Sequence, residues 1–259
     1  MSTLQATQSR VRRPGYRRRL HRLGFILPAV AFVAIMMAFP IAYNGWLSFH
    51  EWTGSARRAP QYVGTENYTE LFTESERFFP AVKRTFLFST VVVAVEMVLG
   101  IGIALLLRNA LPGHTVIKTL ILLPMVATPV AISMAWLLML EPTIGVFNKM
   151  LRDIGMTPQP FLGSQSQALW VLMVVDIWQW TPMMAMITLA GLLSLPDDPY
   201  EAALVDGASS LQSFFHITLP LLVPTLLTAV LLRSIEALKT FDIIYTMTRG
   251  GPGFATETL

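Results

Sequence analysis

Residues 201–220 read EAALVDGASSLQSFFHITLP, a polar and partly acidic stretch set between two long apolar runs. At its start, Asp198, Pro199, Tyr200 and Glu201 have the order of a helix beginning: an acceptor side chain, a proline at the first helical position and a carboxylate three residues after the cap. This order predicts a short helix, and Gly207 is free to take the left-handed conformation that would end it. Ser209 or Ser210 can then cap a second helix that enters the apolar run at Ile217. The expected product is a helix, a bend and another helix outside the bilayer. Ala202, Ala203 and Ala208 keep that surface slim enough for another protein's groove to close around it, while Glu201 and Asp206 offer negative charge to a basic partner.

The runs on either side belong to a chain built for lipid. Apolar residues make up 53% and charged residues only 14% of the sequence, with a mean hydropathy of +0.54, whereas soluble domains are about one quarter charged. Five runs approach or exceed the roughly 20 apolar residues that cross a hydrocarbon core: 23–46, 85–107, 116–140, 168–193 and 217–241. Prolines within them are compatible with spanning helices, since neighbouring helices satisfy the backbone groups they free. The fold class is therefore an all-α polytopic membrane protein with five spans. Gly100 and Gly102, in the second span, predict a close helix approach.

The first 22 residues contain Arg10, Arg12, Arg13, Arg17, Arg18, Arg19 and Arg22 and no acid. By the positive-inside rule this end stays in the cytoplasm, which divides the chain into a basic cytoplasmic N-terminus, 1–22, and a transmembrane domain, 23–259. A cleaved signal peptide fits less well, because the apolar run is too long and no clear small-residue cleavage site precedes Tyr43. A nucleic-acid-binding arm also fits less well, because the arginines directly precede a span, so no nucleic-acid partner is expected. Counting from an inside N-terminus places 50–83 and 141–167 outside and 109–117 and 194–216 inside. The 194–216 loop has Asp197, Asp198, Glu201 and Asp206 but no Lys or Arg, so its own charge does not assign its side. In the first outer loop, Asn67, Tyr68, Leu71 and Phe72 predict a short helix on the outer rim.

Glu201-Ala202-Ala203, Asp206-Gly207-Ala208 and Ile217-Thr218-Leu219-Pro220 closely resemble the EAA loop of permease subunits of ATP-binding-cassette importers. The resemblance extends over nearly the whole chain and is to the carbohydrate-uptake, maltose-type branch. It rests on Ile26-Leu27-Pro28 with Phe39-Pro40, Tyr62-Val63-Gly64 with Glu66-Asn67-Tyr68, Leu99-Gly100 with Ala104-Leu105-Leu106, Leu123-Pro124, Gly145 with Asn148, and 241–253. Arg84 and Lys118 depart from it, standing where the family often has Asn and Arg. The resemblance implies a type I importer transmembrane domain, multi-pass in a bacterial-type cytoplasmic membrane, with a sixth span beyond Leu259. It implies that 194–216 is the cytoplasmic coupling loop, with Glu201, Ala202, Ala203, Asp206 and Gly207 docking on the ATPase. It further implies a second homologous permease, two ATPase subunits, an extracytoplasmic solute-binding protein, and a sugar as the substrate, with a polyol or glycerol phosphate as the alternative. No GxxxxGK[ST] loop occurs in the chain, so ATP and Mg²⁺ are expected on the separate ATPase and no cofactor on this chain.

Polar residues inside spans are costly unless they face a pathway or a partner. Asp176, Gln179 and Met183 share one helical face of the fourth span, with Trp180 adjacent; Arg233, Glu236 and Thr240 do the same on the fifth, with Lys239 beside them. Both groups fall in the outer half and can face one cavity, a candidate substrate pathway. Gln179, Trp180 and Thr240 suit a sugar, which offers hydroxyls and an apolar ring face. For Asp176, Arg233 and Glu236, substrate contact and structural ion pairing are both open, and Arg233 is a plausible partner for Glu96. The sequence has no Cys, and its four His, at 21, 50, 114 and 216, are scattered, so no metal site is expected. The in-span carboxylates would also suit an ion-coupled carrier, which needs no docking helix, or a membrane enzyme, which needs a nucleophile or phosphate cradle that is not evident here.

Overall fold

Lipid offers no hydrogen-bond partner to the backbone, so apolar runs long enough to cross it become helices. The computed structural model describes residues 16–52, 54–55, 57–108 and 114–259, with side chains from residue 26 and, past residue 113, from residue 116. Arg10, Arg12 and Arg13 lie outside the described residues, and of Arg17, Arg18, Arg19 and Arg22 only the helical backbone is described.

The described chain falls into two compact units, one ending at Ser75 and the other covering Glu76–Leu259. In the first, α1 (Tyr16–Leu47) ends in a ladder of rings, Phe39 on Tyr43, Tyr43 on Trp46 and Trp46 on His50, with centroids 6.0, 5.9 and 3.9 Å apart. A two-stranded antiparallel ribbon follows, β1 (His50–Glu51) and β2 (Gln61–Tyr62), pairing His50 with Tyr62. The short helix expected around Asn67–Phe72 forms as α2 (Glu66–Thr69), continued by a π turn through Glu74. Asn67 fixes it by donating to the carbonyls of Ser48 and His50 at 2.9 and 3.1 Å, and the Tyr68 hydroxyl donates to Ser48 Oγ at 2.7 Å.

The second unit is a helical bundle. α3 (Phe78–Arg108) and α7 (Ala168–Leu193) pack along their lengths and α10 (Leu219–Leu238) packs against both. A Cβ on Gly100 would lie 2.7 Å from Met184 Cβ and 3.0 Å from the Ala185 backbone, so only glycine permits this approach of α3 to α7. Gly102, by contrast, has nothing within 4 Å, and the expectation of close approach holds for Gly100 alone. Gly191, which the sequence reading passed over, makes the equivalent contact of α7 with α10, where a Cβ would meet Thr225 Cγ2 at 2.8 Å.

The run 116–140 is not one straight helix. It breaks at residues 127–128 into α4 (His114–Val126) and α5 (Pro129–Met139), bent by 94°. Proline at 129 forces the preceding residue out of the helical region, and Thr128 is extended at φ −66°, ψ 144°. Ile117 and Ile121 of α4 pack on one core cluster, formed by Ala104 and Leu107, Leu189 and Leu192, and Leu222 and Leu226. Ile132 and Trp136 of α5 pack on the other, formed by Phe88, Leu169, Leu172 and Ala237 together with Leu140 just after α5. Because the two clusters lie at opposite ends of α3, α7 and α10, the bent pair runs the height of the bundle and counts as one broken crossing. Among the described residues there are thus four long apolar helices and one broken pair, consistent with the expected five spans with the third reshaped.

Two elements cap the Phe88 end. α6 (Val146–Asp153) lies in the connection before α7, where Asn148 clamps Gln159 by donating to its carbonyl at 2.9 Å and accepting from its N–H at 2.8 Å. After α10 comes α11 (Asp242–Met247), whose Ile243, Ile244 and Met247 are buried in the cluster with Leu140 and Leu172. At the opposite end the 194–216 loop folds into α8 (Asp198–Val205) and α9 (Ser210–Ser213), and a π turn, Phe214–Thr218, leads into α10.

Candidate functional site

Two features are built on α7 and α10, one at each end. The helix–bend–helix forms as expected, with one difference at its start. Asp198 lies within the first turn of α8 and Pro199 is at its second position, while the capping residue is Asp197. No side chain caps this helix, because Asp197 has φ −81°, ψ −26° and not the extended backbone from which a carboxylate can reach the first N–H groups. Its carbonyl accepts from Tyr200 N and Glu201 N at 2.9 and 3.1 Å.

Gly207 ends α8 at φ +74°. Ala208 N donates to Ala203 O at 2.9 Å and Gly207 N to Leu204 O at 3.2 Å, the paired bonds of a Schellman end. Ser209 then starts α9 with a reciprocal capping box: Gln212 N donates to Ser209 Oγ at 3.3 Å and Ser209 N to Gln212 Oε1 at 2.8 Å. Tyr200 joins the two arms by donating its hydroxyl to Thr218 Oγ1 at 2.9 Å, and the Arg108 guanidinium stands 5.0 Å over the Tyr200 ring. The loop is therefore fixed to the ends of α3 and α10. Ala203 faces inward, whereas Glu201, Ala202, Asp206 and Gly207 are exposed. Leu204 and Val205 are 79% and 88% exposed. The sequence reading missed that apolar pair, although two adjacent aliphatic residues in an otherwise polar loop are a readable signal for a contact surface.

At the other end, α7, α10 and α11 enclose a cleft of about 110 Å³ lined by Asp176, Gln179 and Trp180, by Arg233, Glu236, Lys239 and Thr240, and by Pro129, Phe241, Asp242 and Ile243. All the predicted pathway residues line it except Met183. Half-buried Met183 lies a further turn towards the loop, where α10 closes on α7. Pro129, Phe241, Asp242 and Ile243 were not foreseen, because α11 and the bend of α5 bring them in.

Arg233 lies at the back of the cleft, 1% exposed, and pairs with two carboxylates. Its Nε donates to Glu96 Oε2 at 2.8 Å and its Nη2 to Glu96 Oε1 at 3.0 Å, a two-pronged pair across α3 and α10, and Nη2 also bonds Asp176 Oδ2. Its guanidinium is 5.5 Å from the centre of the Trp180 ring. Structural pairing thus accounts for Arg233 and Asp176 and gives Glu96 its partner. Glu236 pairs instead with Lys239, at 2.8 Å on the exposed side of the lining. Gln179 is 2% exposed and lines the cleft, and its amide has no hydrogen-bond partner among the described residues.

A helical membrane bundle with a buried polar cleft at one end and an exposed helix–bend–helix at the other suits a transport permease. Residues 96–258 match the family of binding-protein-dependent transport system inner membrane components. The chain belongs to that family, the permease subunits of ABC importers. It is 38% identical over 240 residues to the trehalose/maltose transport system permease protein MalF of Thermococcus litoralis, covering 92% of this chain and 81% of that one. The sulfoquinovosyl glycerol transport system permease protein SmoG of Agrobacterium fabrum is 34% identical, over 93% of this chain and 78% of its own. The trehalose transport system permease protein SugA of Mycobacterium tuberculosis is 31% identical, over 92% and 76%. Among solved structures, a chain of a bacterial alginate ABC transporter in complex with an alginate pentasaccharide-bound periplasmic protein has the same fold, with a TM-score of 0.79 over 93% of this chain and 80% of its own at 24% identity. Permeases of this family are transport components and not enzymes, and the family's place is the inner membrane.

Proposed function

We propose that this permease carries a saccharide into the cell through the cleft between α7 and α10, driven by ATP hydrolysed on separate subunits. The observation that carries this reading is that one pair of helices bears both the cleft and the docking loop. Gln179 in the cleft and Leu193 at the end of α7 are joined by continuous helix, a length of about 20 Å at the α-helical rise. A push on α8 is therefore delivered to the cleft wall through rigid elements.

In this reading α8 docks on the ATPase through Glu201, Ala202, Leu204, Val205 and Asp206, with Ala203 and Gly207 setting its shape. ATP and Mg²⁺ are bound there, and no cofactor is held by this chain. A second homologous permease completes the pathway, two ATPase subunits power it, and an extracytoplasmic solute-binding protein delivers the substrate. The arginine-rich N-terminus, 1–22, and the 194–216 loop then face the cytoplasm, and the cleft opens on the outer side. The half-buried Trp180 ring offers an apolar platform for a pyranose face, and Gln179 and Thr240 offer neutral hydrogen-bonding groups to hydroxyls. Relatives named for trehalose and maltose support a sugar over the alternatives of a polyol or glycerol phosphate.

Reconstituting the importer in vesicles tests this directly. Uptake of trehalose or maltose should require internal ATP and the binding protein, and should continue when ion gradients are collapsed. Uptake sustained by a proton or sodium gradient without ATP would instead make the chain an ion-coupled carrier.

A further inference from the structure

We infer that the cleft selects by charge, admitting uncharged saccharides and refusing uronates, sulfonates and phosphate esters, with Asp242 as a specificity-determining residue. The inference rests on the cleft being the saccharide path. Fold and family leave the matter open: one relative is named for sulfoquinovosyl glycerol, and an importer of the same fold for the acidic polysaccharide alginate.

Three carboxylates, Asp176, Glu236 and Asp242, line the cleft with two cations, Arg233 and Lys239, leaving a formal charge of −1. Both cations are engaged. Arg233 is held by Glu96 and Asp176, and Lys239 by Glu236. Asp242 is exposed and has no hydrogen bond or ion pair among the described residues. An incoming carboxylate or phosphate thus meets no uncommitted cation among the described residues of the lining. Recruiting Arg233 would strip a buried carboxylate of its partner, which is strongly unfavourable. Recruiting Lys239 would free Glu236 within the same lining, so the charge met by the anion would not change. A neutral sugar makes no such demand. Its hydroxyls can accept from and donate to the unpartnered Gln179 amide, which is buried and opens on the cleft, and they can donate to Asp242. A free carboxylate accepting from sugar hydroxyls is a gain for a neutral ligand and a penalty for an acidic one.

The chain has no cysteine, so a single introduced thiol reports the local potential. Thr240→Cys in the assembled importer should react with a cationic methanethiosulfonate reagent about tenfold faster than with its anionic counterpart, after correction for their rates on a free thiol. Adding Asp242→Asn should reduce that ratio several-fold, and Phe241→Cys provides a second probe site. Equal rates, or a faster anionic reagent, would overturn the inference, and a ratio unmoved by Asp242→Asn would overturn the role of Asp242. A second measurement separates this from the transport reading. Trehalose or maltose should slow labelling of the thiol, whereas glucuronic acid at the same concentration should not. Protection by glucuronic acid would overturn charge selection, while protection by no saccharide, with the reagent ratio intact, would count against the saccharide path and not against the charge of the cleft.

Discussion

Gly207 holds φ +74°, and a Cβ built there would meet nothing within 4 Å. The constraint is therefore conformational and not one of crowding: an L-residue in the left-handed region costs about 1–2 kcal/mol, least for Asn. Gly207→Val should redirect α9 and lower substrate-stimulated ATPase activity and uptake together by about tenfold, whereas Gly207→Asn should retain most of both. Full coupling in the Val variant would remove Gly207 from the docking geometry. Arg233 is a second residue whose environment dictates its variants. Arg233→Ala leaves Glu96 and Asp176 buried without a cation, a change worth about 3–5 kcal/mol. Thermal unfolding of the purified permease should show this loss, and Glu96→Ala in the same chain should recover part of it, since neighbours in one network are not additive. The sequence placed Asp176 and Arg233 on matching faces because helical spacing is local information. That Arg233 closes on Glu96, 137 positions away, follows from how α3 lies against α10, which no spacing encodes.

The third span shows where an element escapes a hydropathy reading. Mean apolarity over 116–140 is blind to backbone geometry, and proline alone does not predict a break, since Pro28, Pro40, Pro182 and Pro224 all sit inside continuous helices. What distinguishes Pro129 is the extended Thr128 before it and the packing of α4 and α5 on separate clusters. Gly100 and Gly191 are points where α3 and α10 approach α7 too closely to admit a Cβ. Gly100→Val should cost about 1–3 kcal/mol by forcing α3 off α7, while Gly102→Ala should be close to neutral, both read by thermal unfolding. In the connection before α6, the Glu141 carboxylate accepts from Thr143 Oγ1 at 2.6 Å, Thr143 N at 2.7 Å and Ile144 N at 2.6 Å. These bonds, led by the Thr143 hydroxyl, hold its pKa below the usual glutamate range. A depressed folded-state pKa contributes order above the unfolded value and loses it as pH falls through the folded one. Hydrogen exchange should therefore find the Thr143 and Ile144 amides protected at neutral pH, with protection failing only below the ordinary carboxylate range. Glu141→Gln should lack the pH-dependent part.

Across the whole molecule, the cleft and the 194–216 loop lie at opposite ends of α7 and α10, and they are joined through those helices and through α3, whose Glu96 pairs with Arg233 and whose Arg108 stands over Tyr200. Trp180 and Gln179 face the cleft and touch no part of α8 or α9, and their removal strips no partner from a buried charge. Trp180→Ala leaves Arg233 with both of its carboxylates, since the ring lies 5.5 Å from the guanidinium and supplies only a cation–π contact there. That contact is worth about 0.5–2 kcal/mol, too little to unfold a bundle whose core lies elsewhere. Gln179→Ala removes an amide that has no protein partner among the described residues, so it should cost the fold less than an ordinary buried hydrogen bond, about 1 kcal/mol. Damage from either variant should therefore appear in substrate handling. Both should assemble with the ATPase and hydrolyse ATP at the basal rate, with uptake of trehalose or maltose reduced about tenfold or its preference between them changed. Basal hydrolysis falling in step with uptake would mean that these residues act through the fold, and unaltered transport kinetics in both variants would place the saccharide path elsewhere in the assembly.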